Sequence, residues 1–183
     1  MSRRPNWFVG WPLSLPTDWL TRLRPPPRVR LFHPDDLHAT VAFFGPVSAE
    51  AARAAFSALP PPAGDAVQAR WGPVVPMGDP RRPSALSALL SSDGGELRAF
   101  IQLNRPRLLE RAGARPDART PRPHVTLARP QRRAGPADRA AAVAWAAGLR
   151  MPVERSVIDR IALYSWSDDR RARLFRVVDS RPL

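Results

Sequence analysis

The chain has 183 residues, 44% of them hydrophobic, which suits one compact domain or two small lobes sharing a core and excludes a disordered chain. Its net charge of +13 rests on 29 basic residues, every one an arginine, against 16 acidic ones. There is no cysteine, which excludes disulfides and thiolate metal sites, and no apolar run approaches the roughly 20 residues of a membrane span.

The opening MSRRPNWFVGWPL lacks the long apolar segment and small-residue cleavage site of a secretory leader, so a cytoplasmic, membrane-free protein is expected, as a monomer. The planar fork of arginine matches phosphate bidentately and admits a phosphate-rich partner such as RNA. Abundant Arg, Ala, Pro and Gly without Lys also fits the codon bias of a GC-rich genome, so charge permits a nucleic-acid substrate without demanding one.

Residues 7 to 13, WFVGWPL, are aromatic and β-branched and read as a first strand closed by Pro12. LPTDWLTRLR predicts a short helix with Thr17 or Asp18 as N-cap and Trp19, Leu20 and Leu23 on one face. PPPRVRLFHPDD is a proline-bounded connector, extended at Val29 to Phe32, that leads into a strand at LHATVAFFG. Gly45-Pro46 ends that strand, Ser48 caps an alanine-rich helix through AEAARAAFSAL, and PPPAG at 60 to 64 stops it. VQARWGPVVPM and SALSALL follow as extended runs. The second is ambiguous, since Ala and Leu favour helix while Pro83 and Ser91-Ser92 bound it like a strand.

GELRAFIQLNRPRLLERAG reads as a longer helix with Leu97, Phe100, Ile101 and Leu108 inward, kinked or shortened at Pro106. An arginine-rich loop at 113 to 123 leads to a strand at HVTLARP, and ADRAAAVAWAAGL is helical. VIDRIALYSWS and RLFRVVDSRPL close the chain as two strands around an Asp168-Asp169 turn. Helices mixed with mostly antiparallel strands give an α+β class. One His-x-Thr strand in each half predicts a single domain, 1–183, of two pseudo-symmetric lobes with helices outside and the active cleft between them.

The two strands carry the functional signal. Two of only three histidines, His38 and His124, share the frame His-x-Thr-x-Ala with an apolar residue at each x. With five threonines in 183 residues, a given histidine has threonine two places on only about 3% of the time. Alternation points His38 with Thr40, and His124 with Thr126, to one face. It sends Leu37, Ala39, Val41 and Phe43, with Val125 and Leu127, to the other. Two imidazoles and two hydroxyls meeting in a cleft suit in-line displacement at phosphorus. One imidazole takes a proton from the nucleophile and the other gives one to the leaving oxygen, while the hydroxyls donate to the non-bridging oxygens. Such chemistry needs neither metal nor cofactor. Phe43, Phe44, Trp7, Trp11 and Trp71 read as core, with Phe43 also weighed as a base-stacking substrate contact.

LHATVAFFG and PHVTLAR resemble the paired motifs of the two-histidine phosphoesterase superfamily, and within it the RNA 2′,3′-cyclic phosphodiesterases once named 2′-5′ RNA ligases. The resemblance extends to WFVGWPL, VSAEAARAAFSAL and the ending IALYSWSDDRRARLFRVVDSRPL, so it covers nearly the whole chain. It implies His38 and His124 as the catalytic pair, with Thr40, Thr126 and Arg129 holding phosphate, and no metal. It further implies that His124 activates water while His38 protonates the departing 3′ oxygen, leaving a 2′-phosphate. Strict alternation places Arg129 opposite His124, so it reaches phosphate only through a twist or bulge before Pro130. Phe175 stands where many members carry tyrosine, and the 78 to 84 loop, GDPRRPS, is short.

The expected substrate is RNA ending in a 2′,3′-cyclic phosphate. Small cyclic nucleotides, 2′-5′ linkages and reversible 2′-5′ ligation share the same histidines and stay open, as does a non-catalytic RNA-binding module. A metal site at HPDDLH, from His33, Asp35, Asp36 and His38, leaves the threonine frame unexplained and lacks a third nearby histidine.

Overall fold

The structure, a computed structural model, describes residues 4–60, 66–79 and 81–183. WFVGWP forms β1 (Trp7–Pro12), with Trp7, Val9 and Trp11 buried in the main core and Phe8 buried in a smaller cluster with Ala162 and Tyr164. The next helix, α1 (Thr17–Arg22), is capped by neither Thr17 nor Asp18. Pro16 holds the N-cap position in an extended conformation without a side-chain bond, which leaves Asp18 in the first turn, paired with Arg22. The connector contains β2 (Val29–Leu31) and a 3-10 turn at Pro34–Asp36 before β3 (His38–Gly45).

Ser48 caps α2 (Ala49–Ser57) as expected, its Oγ accepting from the Ala51 amide at 3.1 Å. Residues 61–64 of the expected helix stop lie outside the described residues, as does Pro80 of the 78 to 84 loop. SALSALL is strand: β4 (Val67–Asp79) and β5 (Arg82–Ser91) pair antiparallel, and Leu86, Ala88 and Leu90 alternate into the core. Pro106 does not shorten α3 (Glu96–Arg111). Both Pro106 and Gln102 are exposed, so the carbonyl that loses its helical donor can face water.

The chain closes with β6 (His124–Pro130), α4 (Pro136–Ala147), β7 (Ser156–Ile158), β8 (Arg160–Trp166) and β9 (Phe175–Pro182). VIDRIALYSWS is therefore two strands rather than one. It changes partners at Asp159, β7 pairing with β4 while β8 pairs with β1 and β9.

The fold is α+β. The strand order is β7-β4-β5-β6-β3-β1-β8-β9, so four of these strands stand on each side of the β6–β3 seam, and β2 joins β6 as a ninth strand off this path. In this arrangement β6 matches β3, β5 matches β1 and β4 matches β8, which is the two-lobed pseudo-symmetry expected. Helices α2 and α3 cover the β1–β3 side and α4 covers β4, β5 and β6. Among the described residues no helix is long and apolar enough to cross a membrane.

Candidate active site

The two His-x-Thr strands run antiparallel at the centre of the sheet, where Ala39 pairs with Val125. Both of those side chains are fully buried. Alternation turns their neighbours His38, Thr40, His124 and Thr126 to the opposite face, where all four are partly accessible.

Alternation breaks immediately after each threonine. Opposite β1, Gly10 and Val9 face Thr40 and Ala42, which leaves Val41 as an extra residue. Opposite β5, Ser87 and Leu86 face Thr126 and Ala128, which leaves Leu127 extra in the same way. Each bulge buries two successive residues, Val41 with Ala42 and Leu127 with Ala128, and reverses the phase of the strand beyond it. Phe43 and Arg129, assigned by strict alternation to the face away from the histidines, therefore emerge beside them.

The placement of Phe43 in the core is corrected: it is 55% exposed and lines a hollow with Thr40 and His124. Arg129 lies with its guanidinium 5.1 Å from the Phe32 ring, and its charge acts on His38. Gly10 belongs to this device, because a Cβ there would stand 2.7 Å from the Ala39 carbonyl oxygen.

Both histidines are held by the same bond. His38 Nδ1 lies 2.7 Å from the carbonyl of Asp36, and His124 Nδ1 lies 2.6 Å from the carbonyl of Arg122, each two residues upstream. A carbonyl only accepts, so each Nδ1 carries hydrogen and each Nε2 is left for the cleft. The surroundings differ. His38 stacks on Phe8 at 4.5 Å, Phe175 meets it edge-on at 5.2 Å, and Tyr164, stacked on Phe8 at 4.7 Å, lies tilted against the imidazole at 5.2 Å. Burial in this aromatic box drives the pKa of His38 down to about 4. The carbonyl and carboxylate of Asp36 oppose that shift, and Arg129 and His124 add to it. The same burial raises the pKa of Tyr164.

His124 faces a hollow of about 280 Å³ bounded by Thr40, Phe43, Met77, Arg105, Arg119 and Arg122. The arginine-rich loop is pinned there by Asp117, which accepts from the Arg119 amide and guanidinium and pairs with Arg105 at 3.5 Å. The Arg119 bonds, then the Arg105 charge, hold the Asp117 carboxyl down at about 2. Much of the positive charge on this rim is thus engaged within the protein.

The HPDDLH residues are committed elsewhere. His33 Nδ1 accepts from the Asp35 amide, and the buried Asp36 carboxylate accepts from the amides of Leu174 and Phe175 at 2.8 and 3.0 Å. No group of three or more His, Asp or Glu among the described residues is arranged to hold a metal ion.

Sequence reasoning missed several contributors. Ser87, fully buried in β5, places its Oγ 3.2 Å from Thr126 Oγ1. Its signal was the serine facing away from Leu86 and Ala88 in SALSALL, usable only once β5 is known to lie beside β6. The Phe8, Tyr164 and Phe175 box and the Asp36 bonds join segments far apart in the chain, and nothing local announces them. Trp7 and Trp11 are core as expected, while Trp71 is half-buried and donates from Nε1 to Ser156.

No family model matches the chain, and no curated protein matches it in sequence. Solved structures do match along nearly its whole length. The structure of E. coli LigT complexed with NADP+ is 20% identical with a TM-score of 0.65, over 100% of this chain and 99% of that one. The same protein complexed with 3′-AMP gives 20% identity and 0.66, over 98% and 99%. TT0787 of Thermus thermophilus gives 20% identity and 0.64, over 97% of each chain. The chain therefore has the fold of E. coli LigT and of TT0787.

Proposed function

We propose that this protein is a two-histidine phosphodiesterase that opens RNA-terminal 2′,3′-cyclic phosphates to 2′-phosphates without a metal ion. The observation that carries this reading is the pair of imidazoles on adjacent strands, each fixed by an Nδ1–H bond to a carbonyl with Nε2 left for the cleft. Such a pair can take one proton and give another on either side of a phosphorus centre.

Burial in the aromatic box lowers the pKa of His38 to about 4, so its imidazole is neutral near pH 7 before substrate binds. One imidazole takes a proton from water through Nε2 as the water oxygen bonds to phosphorus, and the other gives its Nε2 proton to O3′ as the P–O3′ bond breaks. Each Nδ1–H stays on its carbonyl throughout. Thr40, Thr126 and Arg129 stabilise the charge on the non-bridging oxygens, and Phe43 offers its exposed ring to the base.

The decisive experiment incubates the protein, in excess chelator, with a short RNA ending in a 2′,3′-cyclic phosphate, beside His38→Ala and His124→Ala. A 2′-phosphate made by the wild type, with turnover about 10²–10⁴-fold lower in each variant, supports the reading. Undiminished turnover in either variant, or activity abolished by chelator, sinks it. A cyclic mononucleotide and a 2′-5′ dinucleotide in parallel separate the small-molecule and 2′-5′ alternatives.

A further inference from the structure

Beyond Arg129 the cleft carries positive charge that the reaction at the histidines does not use. Arg30, the cross-strand partner of Arg129, reaches the carbonyl of Arg171 at 3.3 Å and so ties β2 to the loop between β8 and β9. The preceding residue, Arg170, lays its guanidinium 4.3 Å from the centre of the Trp166 ring. Trp166 in turn pairs with Phe175, whose side chain closes over His38. Burial first, and then the charge of Arg170, lower the pKa of Arg129, which places these two cations within reach of one another.

The neighbouring carboxylates are all engaged. Asp168 pairs with Arg176, Asp169 accepts from the amides of Arg171 and Ala172, Asp35 pairs with Arg173, and Asp36 holds the amides of Leu174 and Phe175. Among the described residues no carboxylate pairs with Arg30, Arg129 or Arg170. Like charges gathered without a counter-charge repel one another, and an anion relieves that repulsion.

The ends of the cleft differ in kind. The matched bulges present an aromatic ring, Phe43, near His124 and a guanidinium, Arg129, near His38. A nucleoside 2′,3′-cyclic phosphate has matching polarity, because its base leaves the ribose at C1′ and its 5′ carbon leaves at C4′, on opposite flanks of the cyclic phosphate. Resting on the function proposed above, we infer that Arg170 and Arg30 form a second anion subsite that binds the phosphate on the 5′ side of the terminal nucleoside. The ligand chemistry is a phosphate on O5′, whether the monoester of a mononucleotide or the diester of an RNA chain.

The test compares three substrates at low salt: a nucleoside 2′,3′-cyclic phosphate with a free 5′-hydroxyl, the same compound with a 5′-phosphate, and a dinucleotide ending in the cyclic phosphate. The wild type should prefer the second or third over the first by about 10–100-fold in kcat/KM, the gain of charge-assisted hydrogen bonds. Arg170→Ala should bring that ratio towards one, Arg170→Lys should keep part of it, and the wild-type ratio should shrink with added salt. A gain confined to the monoester identifies a mononucleotide, and a gain with the dinucleotide identifies RNA. Equal rates on all three in the wild type, or an unchanged ratio in Arg170→Ala, overturn the subsite. If none is turned over, the proposed function fails. Calorimetry with adenosine 2′,5′-bisphosphate against adenosine 2′-monophosphate then decides the subsite alone, since tighter binding of the bisphosphate must be lost in Arg170→Ala.

Discussion

Phe175→Ala tests why His38 is neutral. Phe175 is half-buried and meets the imidazole edge-on at an interplanar angle of 89°, so its removal admits water to His38 while Phe8 and Tyr164 stay in place. A pKa lowered from 6.5 to about 4 corresponds to roughly 3 kcal/mol between the two protonation states of His38. Opening the box should return part of that, raising the pKa towards 6.5. The limb of the kcat/KM profile set by His38 in the free enzyme should move up with it. The assay is kcat/KM from pH 3.5 to 9 on a cyclic phosphate, beside NMR titration of the His38 ring. A wild-type His38 titrating near 6.5, or a His38 limb unmoved in Phe175→Ala, refutes the reasoning. Stability follows the same shift. Between pH 6.5 and about 4 the unfolded chain binds the His38 proton and the folded one does not, so His38 makes stability fall with pH across that window, by at most about 3 kcal/mol. Urea midpoints at pH 7 and 4.5 should show a smaller loss in Phe175→Ala than in the wild type.

The remaining expectations concern the frame around the histidines. Thr40→Ala and Thr126→Ala should each lower kcat on the order of 10–10³-fold, and Ser87→Ala, which leaves the Thr126 hydroxyl without its partner, should lower it less than Thr126→Ala. Steady-state kinetics order the three, and a Ser87→Ala loss as large as that of Thr126→Ala would count against a purely positioning role. Gly10→Ala should cost about 1–3 kcal/mol by urea denaturation, because its methyl group meets the Ala39 carbonyl and must push β1 from β3. Asp36→Ala removes a buried acceptor shared by two amides, and a loss of about 3 kcal/mol is expected by the same measurement, with a smaller loss for Asp36→Asn.

The elements near the motifs were legible because their signals are local. Ser48 announces α2, Gly45 ends β3, and the paired His-x-Thr frames name two strands and the face they share. SALSALL was ambiguous on its own and became a strand only because β4 and β6 supply ladders on both sides. Pro106 misled in the other direction, since its rule weighs a lost hydrogen bond and takes no account of burial of Leu108 and Leu109 one turn on. The positions of Phe43 and Arg129 were beyond a period-two reading, because a bulge adds one residue without any fixed residue type to mark it. Gly10, the one sequence trace of the first bulge, lies on the neighbouring strand.

The matched and unmatched parts of the cleft divide the work between them. In the proposed reaction, duplication supplies what acid and base catalysis have in common: an imidazole on a strand, an Nδ1–H bond two residues back, and a threonine followed by a bulge. Two identical imidazoles could not direct a proton, since one must begin neutral and the other charged. The difference comes from side chains that the two halves do not share. Phe8, Tyr164 and Phe175 on β1, β8 and β9 dry the surroundings of His38, whereas α3 and the 113–123 loop leave His124 facing an arginine-lined hollow. The loop after β8 carries Arg170 at one end of the cleft and Phe43 faces the other, so in the proposed reaction the surroundings that distinguish the two histidines would also give the bound nucleotide its direction.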